Sequence, residues 1–225
     1  MKRIGFLNLF VFFFFSIAAL AVFSGGAVGA SMEGKKIFLL SGCGDCHNVK
    51  GPPLSETLKT FAARKGPELW YAGSKFKEGF VERWLMDPRP IRTMKYNSLR
   101  EKNPGNHPRL GPGEAAKVAR YLMTLKSPDV RPSGIRPSIN VLGRIVFIKK
   151  FACYGCHSVI VNGHAVGGIS GPDLIGVPDR LNPDWIYAFL SDPRAFRPVS
   201  RMPVYKGLLS ERDLRALSAY VAGLK

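Results

Sequence analysis

The sequence predicts an all-α protein in which one helical unit occurs twice, after an apolar helix at the N-terminus. The pentapeptides CGDCH at residues 43–47 and CYGCH at residues 153–157 contain every cysteine of the chain. A gapless stretch of similarity relates residues 66–89 to residues 171–194, which indicates an internal repeat. Apolar residues recur at helical spacing, and no segment gives a convincing β-hairpin signal.

The N-terminus combines two basic residues with a long apolar run, residues 4–23. The small residues before Ser31 are typical of a secretory signal with a cleavage site. About twenty apolar residues would also cross a hydrocarbon core of about 30 Å, so residues 1–30 are predicted to be a signal peptide or an anchor in the inner membrane. Because the basic residues precede the run, either reading predicts that the rest of the chain is periplasmic.

The repeat divides the remaining chain into two units of similar length. The endings YLMTLK (residues 121–126) and YVAGLK (residues 220–225) also correspond. A proline-containing stretch between the copies has little apolar content, which is typical of an extended linker. The predicted organisation is a first domain at residues 31–126, a linker at residues 127–138 and a second domain at residues 139–225.

Each unit is predicted to contain a helix before its cysteines and a middle helix. Apolar residues run into Cys43 and Cys153, as expected of the first helix. The middle helix of the second unit is predicted to begin after Asn182, a good N-cap residue. It is predicted to end before Asp192-Pro193, because proline disfavours helical geometry in the residue before it.

A last helix closes each unit. In the second unit it is predicted to start at Ser210, and its apolar stripe has spacings of three and four, formed by Leu214, Leu217, Val221 and Leu224. Gly34 and Gly143 are predicted to let the first helix of each unit cross the last helix closely.

A Cys-x-x-Cys pair serves a redox dithiol, half of a zinc site, or covalent haem attachment with the following His on the iron. A four-cysteine zinc site usually brings its pairs within about twenty residues, whereas Cys46 and Cys153 are far apart. A dithiol needs no His after the second Cys. Two covalently bound haem c groups are therefore predicted, at Cys43, Cys46, His47, Cys153, Cys156 and His157.

The opposite face of each haem decides its chemistry, because an open face allows catalysis and a sixth protein ligand favours an electron carrier. Met202 follows His157 by 45 positions and lies next to proline in a loop beyond the middle helix, where a thioether can bind iron. Met94 lies in the corresponding loop of the first unit. Met94 and Met202 are therefore the predicted iron ligands. Other candidates are predicted to lie in helices or at the surface, namely Met86, Met123, His107 and His164.

Supporting residues are predicted around each haem. Pro67 and Pro172 would each present a carbonyl to the Nδ1–H of the iron-binding histidine and so fix its orientation. Arg89, Arg194 and Trp185 are candidates for contacts with the haem propionates, although charged loop residues are more often simply solvated.

With Cys-x-x-Cys-His, Gly-Pro-x-Leu, a loop Met and a Tyr-bearing last helix in this order, each half resembles a class I cytochrome c domain. The chain from Ser31 onward resembles a two-domain dihaem c-type cytochrome. The resemblance implies a few short helices around each covalent haem. The first unit departs from the second, because Gly66 follows His47 by nineteen positions where the second copy has fourteen, and Met94 lacks the following proline.

The predicted function is electron transfer and not enzymatic catalysis. Single electrons would pass between respiratory partners, such as a quinol-oxidising complex and a terminal reductase or oxidase. A membrane-anchored haem subunit of a respiratory complex is one alternative, with the same chemistry and a fixed partner. A dihaem peroxidase, in which one iron opens, is another.

The charge of the chain limits its partners. Lys and Arg total 33 against 16 Asp and Glu, so the formal net charge is +17. An exported chain without a nucleic-acid motif is not expected to bind nucleic acid. Long-range attraction fits a redox protein with an acidic docking face, or an anionic membrane surface. A solvated basic surface without a particular partner is the simpler reading.

Overall fold

The structure is a computed structural model that describes residues 21–52 and 57–225, with side chains described from residue 29 onward. Residues 1–20, which contain most of the predicted signal or anchor and most of its apolar run, lie outside the described residues. Within the described ranges, no helix is both long enough and apolar enough to cross a membrane.

The described residues are mostly helical, as predicted. The first half contains α1 (Ala21–Leu40), α2 (Leu58–Ala62), α3 (Ala72–Lys75), α4 (Phe80–Met86) and α5 (Pro112–Thr124). The second half contains α6 (Val141–Ile145), β1 (Ser158–Val161), β2 (His164–Gly167), α7 (Val177–Arg180), α8 (Pro183–Ser191) and α9 (Glu211–Ala222). A π-helical turn extends α6 over Val146–Lys150, and single 3₁₀ turns occur at Cys43–Asp45, Cys153–Gly155 and Pro193–Ala195.

The first and last helices of each half cross at a glycine, as predicted. A Cβ atom at Gly34 would lie 2.0 Å from the carbonyl oxygen of Lys117, and one at Gly143 would lie 2.3 Å from that of Ala216. Only glycine allows backbones to approach so closely. Each crossing brings an aromatic pair into contact, Phe38 with Tyr121 and Phe147 with Tyr220.

The helix boundaries follow the predicted caps. The side chain of Asn182 accepts a hydrogen bond from the Asp184 N–H at 3.0 Å, and that of Ser210 accepts one from the Asp213 N–H at 3.1 Å. Helix α8 ends at Ser191, directly before the Asp-Pro pair. The capped helices therefore confirm the sequence prediction.

The prediction that the chain lacks a β-hairpin was wrong. Strands β1 and β2 pair antiparallel, with Val161 opposite His164. The two residues between them, Asn162 and Gly163, have φ values of 50° and 80°. Positive φ at both positions is what Asn-Gly favours in tight hairpins. The strands are mostly exposed, so apolar alternation is weak and the Asn-Gly pair was the usable signal.

Two hydrophobic cores lie among the described residues. One is built within the first half, where α5 packs against α1 and α4. The other is built from the second half together with Trp70 and Tyr71 of the first. Trp70 stacks on Phe196 with ring centroids 6.3 Å apart, and Tyr71 stacks on Trp185 at the same separation. The halves therefore share an aromatic contact.

Backbone hydrogen bonds reinforce this contact. The Lys77 N–H donates to the Arg180 carbonyl at 3.1 Å, and the Asn182 N–H donates to the Lys75 carbonyl at 2.9 Å. Residues 127–138, the predicted linker, form no helix or strand. The linker is attached to α8 by the Ser133 N–H, which donates to a carboxylate oxygen of Asp184 at 2.8 Å.

Candidate haem-binding sites

The two Cys-x-x-Cys-His segments adopt the same local structure. The chain enters each 3₁₀ turn through a left-handed residue, Gly42 with φ 68° or Ala152 with φ 45°. The histidine N–H then donates to the carbonyl of the first cysteine, at 3.0 Å in the first segment and 3.1 Å in the second. One turn therefore carries both thiols and the imidazole in each half.

No disulfide joins any of the four cysteines, all of which lie in the described ranges. Cys46 and Cys156 are exposed, whereas Cys43 and Cys153 are half-buried. Burial raises the pKa of the Cys43 and Cys153 thiols. In the described ranges no group of three or more His, Cys, Asp and Glu side chains could hold a metal ion, so the two cysteine pairs do not meet as a zinc site.

A proline carbonyl orients each motif histidine, as predicted. The Nδ1–H of His47 donates to the Pro67 carbonyl at 2.8 Å, and that of His157 donates to the Pro172 carbonyl at 2.7 Å. Because Nδ1 carries the proton, Nε2 keeps its lone pair for a metal. The imidazoles therefore have the tautomer that an iron ligand needs.

A glycine packs against each of these imidazoles. A Cβ atom at Gly66 would lie 2.8 Å from Cε1 of His47, and one at Gly171 would lie 2.7 Å from Nδ1 of His157. Burial lowers the pKa of both histidines, and the hydrogen bonds to proline oppose this effect. The neutral form, which is the one that binds metals, is therefore favoured.

The predicted methionine ligands lie in different surroundings. Met202 is half-buried and packs against the core of the second half. Met94 is 7% exposed and forms an isolated antiparallel bridge with Lys102. Their binding to iron stays a prediction. Met86 and Met123 pack against the first core, in agreement with their predicted helical positions.

His107 does not lie where the sequence predicted. It was expected to be exposed, but it is half-buried, and its ring centroid lies 6.0 Å from that of His47 and 4.6 Å from that of Trp84. The expectation was wrong because the segment folds back onto α4, where the Leu110 N–H donates to the Leu85 carbonyl at 3.0 Å. His164 is exposed on β2, as predicted.

Cations and unpaired donors gather where the halves meet. The guanidinium groups of Arg92 and Arg197 lie 5.7 and 5.3 Å from the ring centroid of Tyr96. Burial, followed by the charge of Arg197, lowers the pKa of Arg92 to about 10. Among the described residues, three buried donor groups have no hydrogen-bond partner, Tyr96 Oη, Trp70 Nε1 and Trp185 Nε1.

This donor set fits the carboxylates of haem propionates, because buried donors and cations are stable only with partners. Of the sequence candidates, Trp185 is buried, whereas Arg89 and Arg194 are exposed. Arg92 and Arg197 were missed, although a signal was present: each is the fifth residue after the Asp of its Asp-Pro-Arg motif.

In a comparison with known families, residues 141–225 match the family model Cytochrome c. Comparisons with curated proteins and with solved structures give no significant match. The matched range contains the Cys-x-x-Cys-His turn at residues 153–157 and all helices of the second half. Residues 141–225 are therefore a cytochrome c domain, which implies a covalently bound haem c and suggests electron transfer by it.

Proposed function

We propose that the protein is a dihaem c-type cytochrome that carries single electrons between respiratory partners on the periplasmic side of the membrane. The family match supports one haem, in the second half. The observation that carries the second haem is the equal geometry of the two histidines. His47 and His157 follow the same turn and donate to equivalent prolines at 2.8 and 2.7 Å.

Each half supplies the residues that a covalent haem c requires. The paired thiols would hold the porphyrin through thioethers, and the neutral imidazole would hold the iron through Nε2. Bound haem iron supplies one-electron oxidation and reduction. Tyr96, Trp70 and Trp185, together with Arg92 and Arg197, are proposed to bind the propionates between the halves.

Met202 is the proposed sixth ligand in the second half, where a thioether would raise the reduction potential. An iron held by His47 would have two candidate ligands on its other side. Met94 is the counterpart that the repeat predicts, and His107 is the imidazole that lies next to His47. Either ligand would leave no open iron face, which favours an electron carrier over an enzyme.

The basic surface suits a redox partner with an acidic docking face. A cavity of about 350 Å³ lies beside His47, and exposed Lys50 and Lys65 contribute to its lining. Two positive charges next to the motif would attract an acidic protein and orient it toward the first site. We expect the rate of electron exchange with such a partner to fall as ionic strength rises.

Mass spectrometry of the native protein tests the proposal. We expect two covalent haems, of which one is lost in Cys43→Ser/Cys46→Ser and the other in Cys153→Ser/Cys156→Ser. Each double variant is the control for the other, because it keeps one intact motif. A native protein with a single haem that the first double variant retains would contradict the dihaem proposal.

The same spectrum tests the location of the N-terminus. A mass that begins at Ser31 would support a cleaved signal and a periplasmic carrier. A mass that includes residues 4–23 would support the alternative of a membrane-anchored haem subunit of a respiratory complex. Extraction of the native protein with and without detergent gives an independent measurement.

A further inference from the structure

Three of the four histidines share one hydrogen-bond arrangement. His47 and His157 donate from Nδ1 to proline carbonyls, and His107 donates from Nδ1 to the carbonyl of Pro108 at 2.8 Å. A carbonyl can only accept, so Nδ1 of His107 carries the proton and Nε2 has a free lone pair. His107 is therefore prepared for metal binding in the same way as the two motif histidines.

The separation of His107 from His47 suits one shared metal ion. Metal–imidazole bonds are about 2.0–2.1 Å long, and with the distance from each bonded nitrogen to its ring centre they give about 6 Å between two rings on opposite sides of a metal. The observed centroid separation is 6.0 Å, and the ring planes are inclined by 47°.

The position of His107 is fixed by a contact of its own ring and by contacts of the residues that follow it. Its ring meets Trp84 of α4 edge to face at 4.6 Å. On the C-terminal side, Arg109 forms an ion pair with Asp87 at 2.9 Å, and the Leu110 backbone bonds to α4. The segment therefore places this imidazole against α4.

Met94 is held differently. The Lys95 N–H donates to the Glu101 carbonyl and the Asn103 N–H donates to the Thr93 carbonyl, both at 2.9 Å, so Met94 lies in a small hairpin. Its burial is the ordinary behaviour of a thioether that fills a gap in the packing. His107 has an observed approach to His47, which makes it the stronger candidate.

We propose that His107 binds the iron of the first haem opposite His47, so that this haem has two imidazole ligands. This inference rests on the proposed function, because it requires a haem at Cys43 and Cys46. A Met ligand raises the potential of haem iron relative to a second imidazole. We therefore expect the first haem to have a lower reduction potential than a second haem bound by His157 and Met202.

Electron paramagnetic resonance and near-infrared magnetic circular dichroism of the oxidised native protein test the proposal, because they distinguish two imidazoles from imidazole and thioether. We expect equal amounts of the two ligand types. In His107→Ala the bis-imidazole signal should disappear, whereas His164→Ala, at an exposed histidine, should leave both signals unchanged. Met202→Leu should remove the thioether signal, and Met94→Leu should retain it.

Two equivalents of thioether signal in the native protein, halved by Met94→Leu, would overturn the proposal in favour of Met94. The native spectrum decides this point even where a variant does not fold. The number of haems in the same sample distinguishes failure of the proposed function from failure of this inference. A single haem would contradict the dihaem function. Two haems that both have thioether ligation would contradict only the role of His107.

Discussion

The protonation state of Lys75 depends on its position between the two halves. Its ammonium group lies 4.8 Å from the ring centroid of Phe76 and 5.0 Å from that of Trp185. Burial lowers the pKa of Lys75 from 10.5 to about 7, and the charges of Arg180 and Arg92 act in the same direction. The folded protein therefore favours the neutral amine far more than the unfolded chain does.

Replacement of Lys75 by Met should reduce the pH dependence of stability. The folded pKa lies below the unfolded value, so between pH 7 and pH 10.5 the unfolded chain binds more protons and stability rises with pH. Each unit of pKa shift corresponds to about 1.4 kcal/mol. The gain in the free energy of unfolding between pH 7 and pH 10.5 should therefore be larger in the native protein than in Lys75→Met, by at least about 1 kcal/mol. Denaturant unfolding at several pH values measures the difference.

Lys126→Met, at an exposed lysine, is the matched control. Parallel pH profiles for the native protein and Lys75→Met would mean that Lys75 keeps its charge in the folded state, and would refute this expectation.

At the scale of elements, the crossing of the first and last helices determines the position of the Cys-x-x-Cys-His motif in each half. In the first half α1 leads directly to the turn at Cys43–Asp45, so the position of α1 on α5 determines where the motif stands. The contact depends on Gly34, which faces the backbone of Lys117. A backbone carbonyl cannot rotate away as a flexible side chain can.

Gly34→Ala should therefore destabilise the protein by about 1–3 kcal/mol, the usual cost of overpacking. Gly113→Ala is the control in the same half. A Cβ at Gly113 meets nothing within 4 Å, and alanine inside α5 should raise stability by up to about 1 kcal/mol. Free energies of unfolding measured with denaturant compare the two, and equal effects would show that the crossing tolerates a side chain.

At the scale of the whole molecule, aromatic side chains join the two halves. Trp70 is 5% exposed and contacts Phe196 from the opposite half as well as neighbouring Tyr71. The unpaired donors lie in the same region, so the contact also positions the proposed propionate site. Separation of the halves would expose both.

Trp70→Ala should cost about 3–5 kcal/mol, because it leaves a cavity at the shared contact. Loosening of the halves should also speed proteolysis within residues 127–138. Leu208→Ala is the control, since Leu208 is 64% exposed. Cleavage of this segment at the native rate in Trp70→Ala would argue that the halves stay together without this tryptophan.

Much of each candidate site could be predicted from the sequence, because it depends on interactions between residues that are close in the chain. The spacing of two cysteines and a histidine within one turn predicted the motif structure, and the cap residues Asn182 and Ser210 predicted helix starts, because hydrogen bonds and turn geometry act between neighbours in the chain. The repeat also predicted the prolines that orient His47 and His157. These features depend on few residues at short separation.

Tertiary structure decided what lies across from His47 and how the halves meet. His107 follows His47 by 60 positions, in a segment without a counterpart in the second half, so neither helical spacing nor the repeat indicated their approach. Trp70 lies within the repeat, yet it joins a core built from the other half, a contact that no local pattern indicated. Such contacts form when segments that are distant in the chain pack together. The favourable free energy comes from the apolar surface that both segments remove from water, so neither segment indicates the contact by itself.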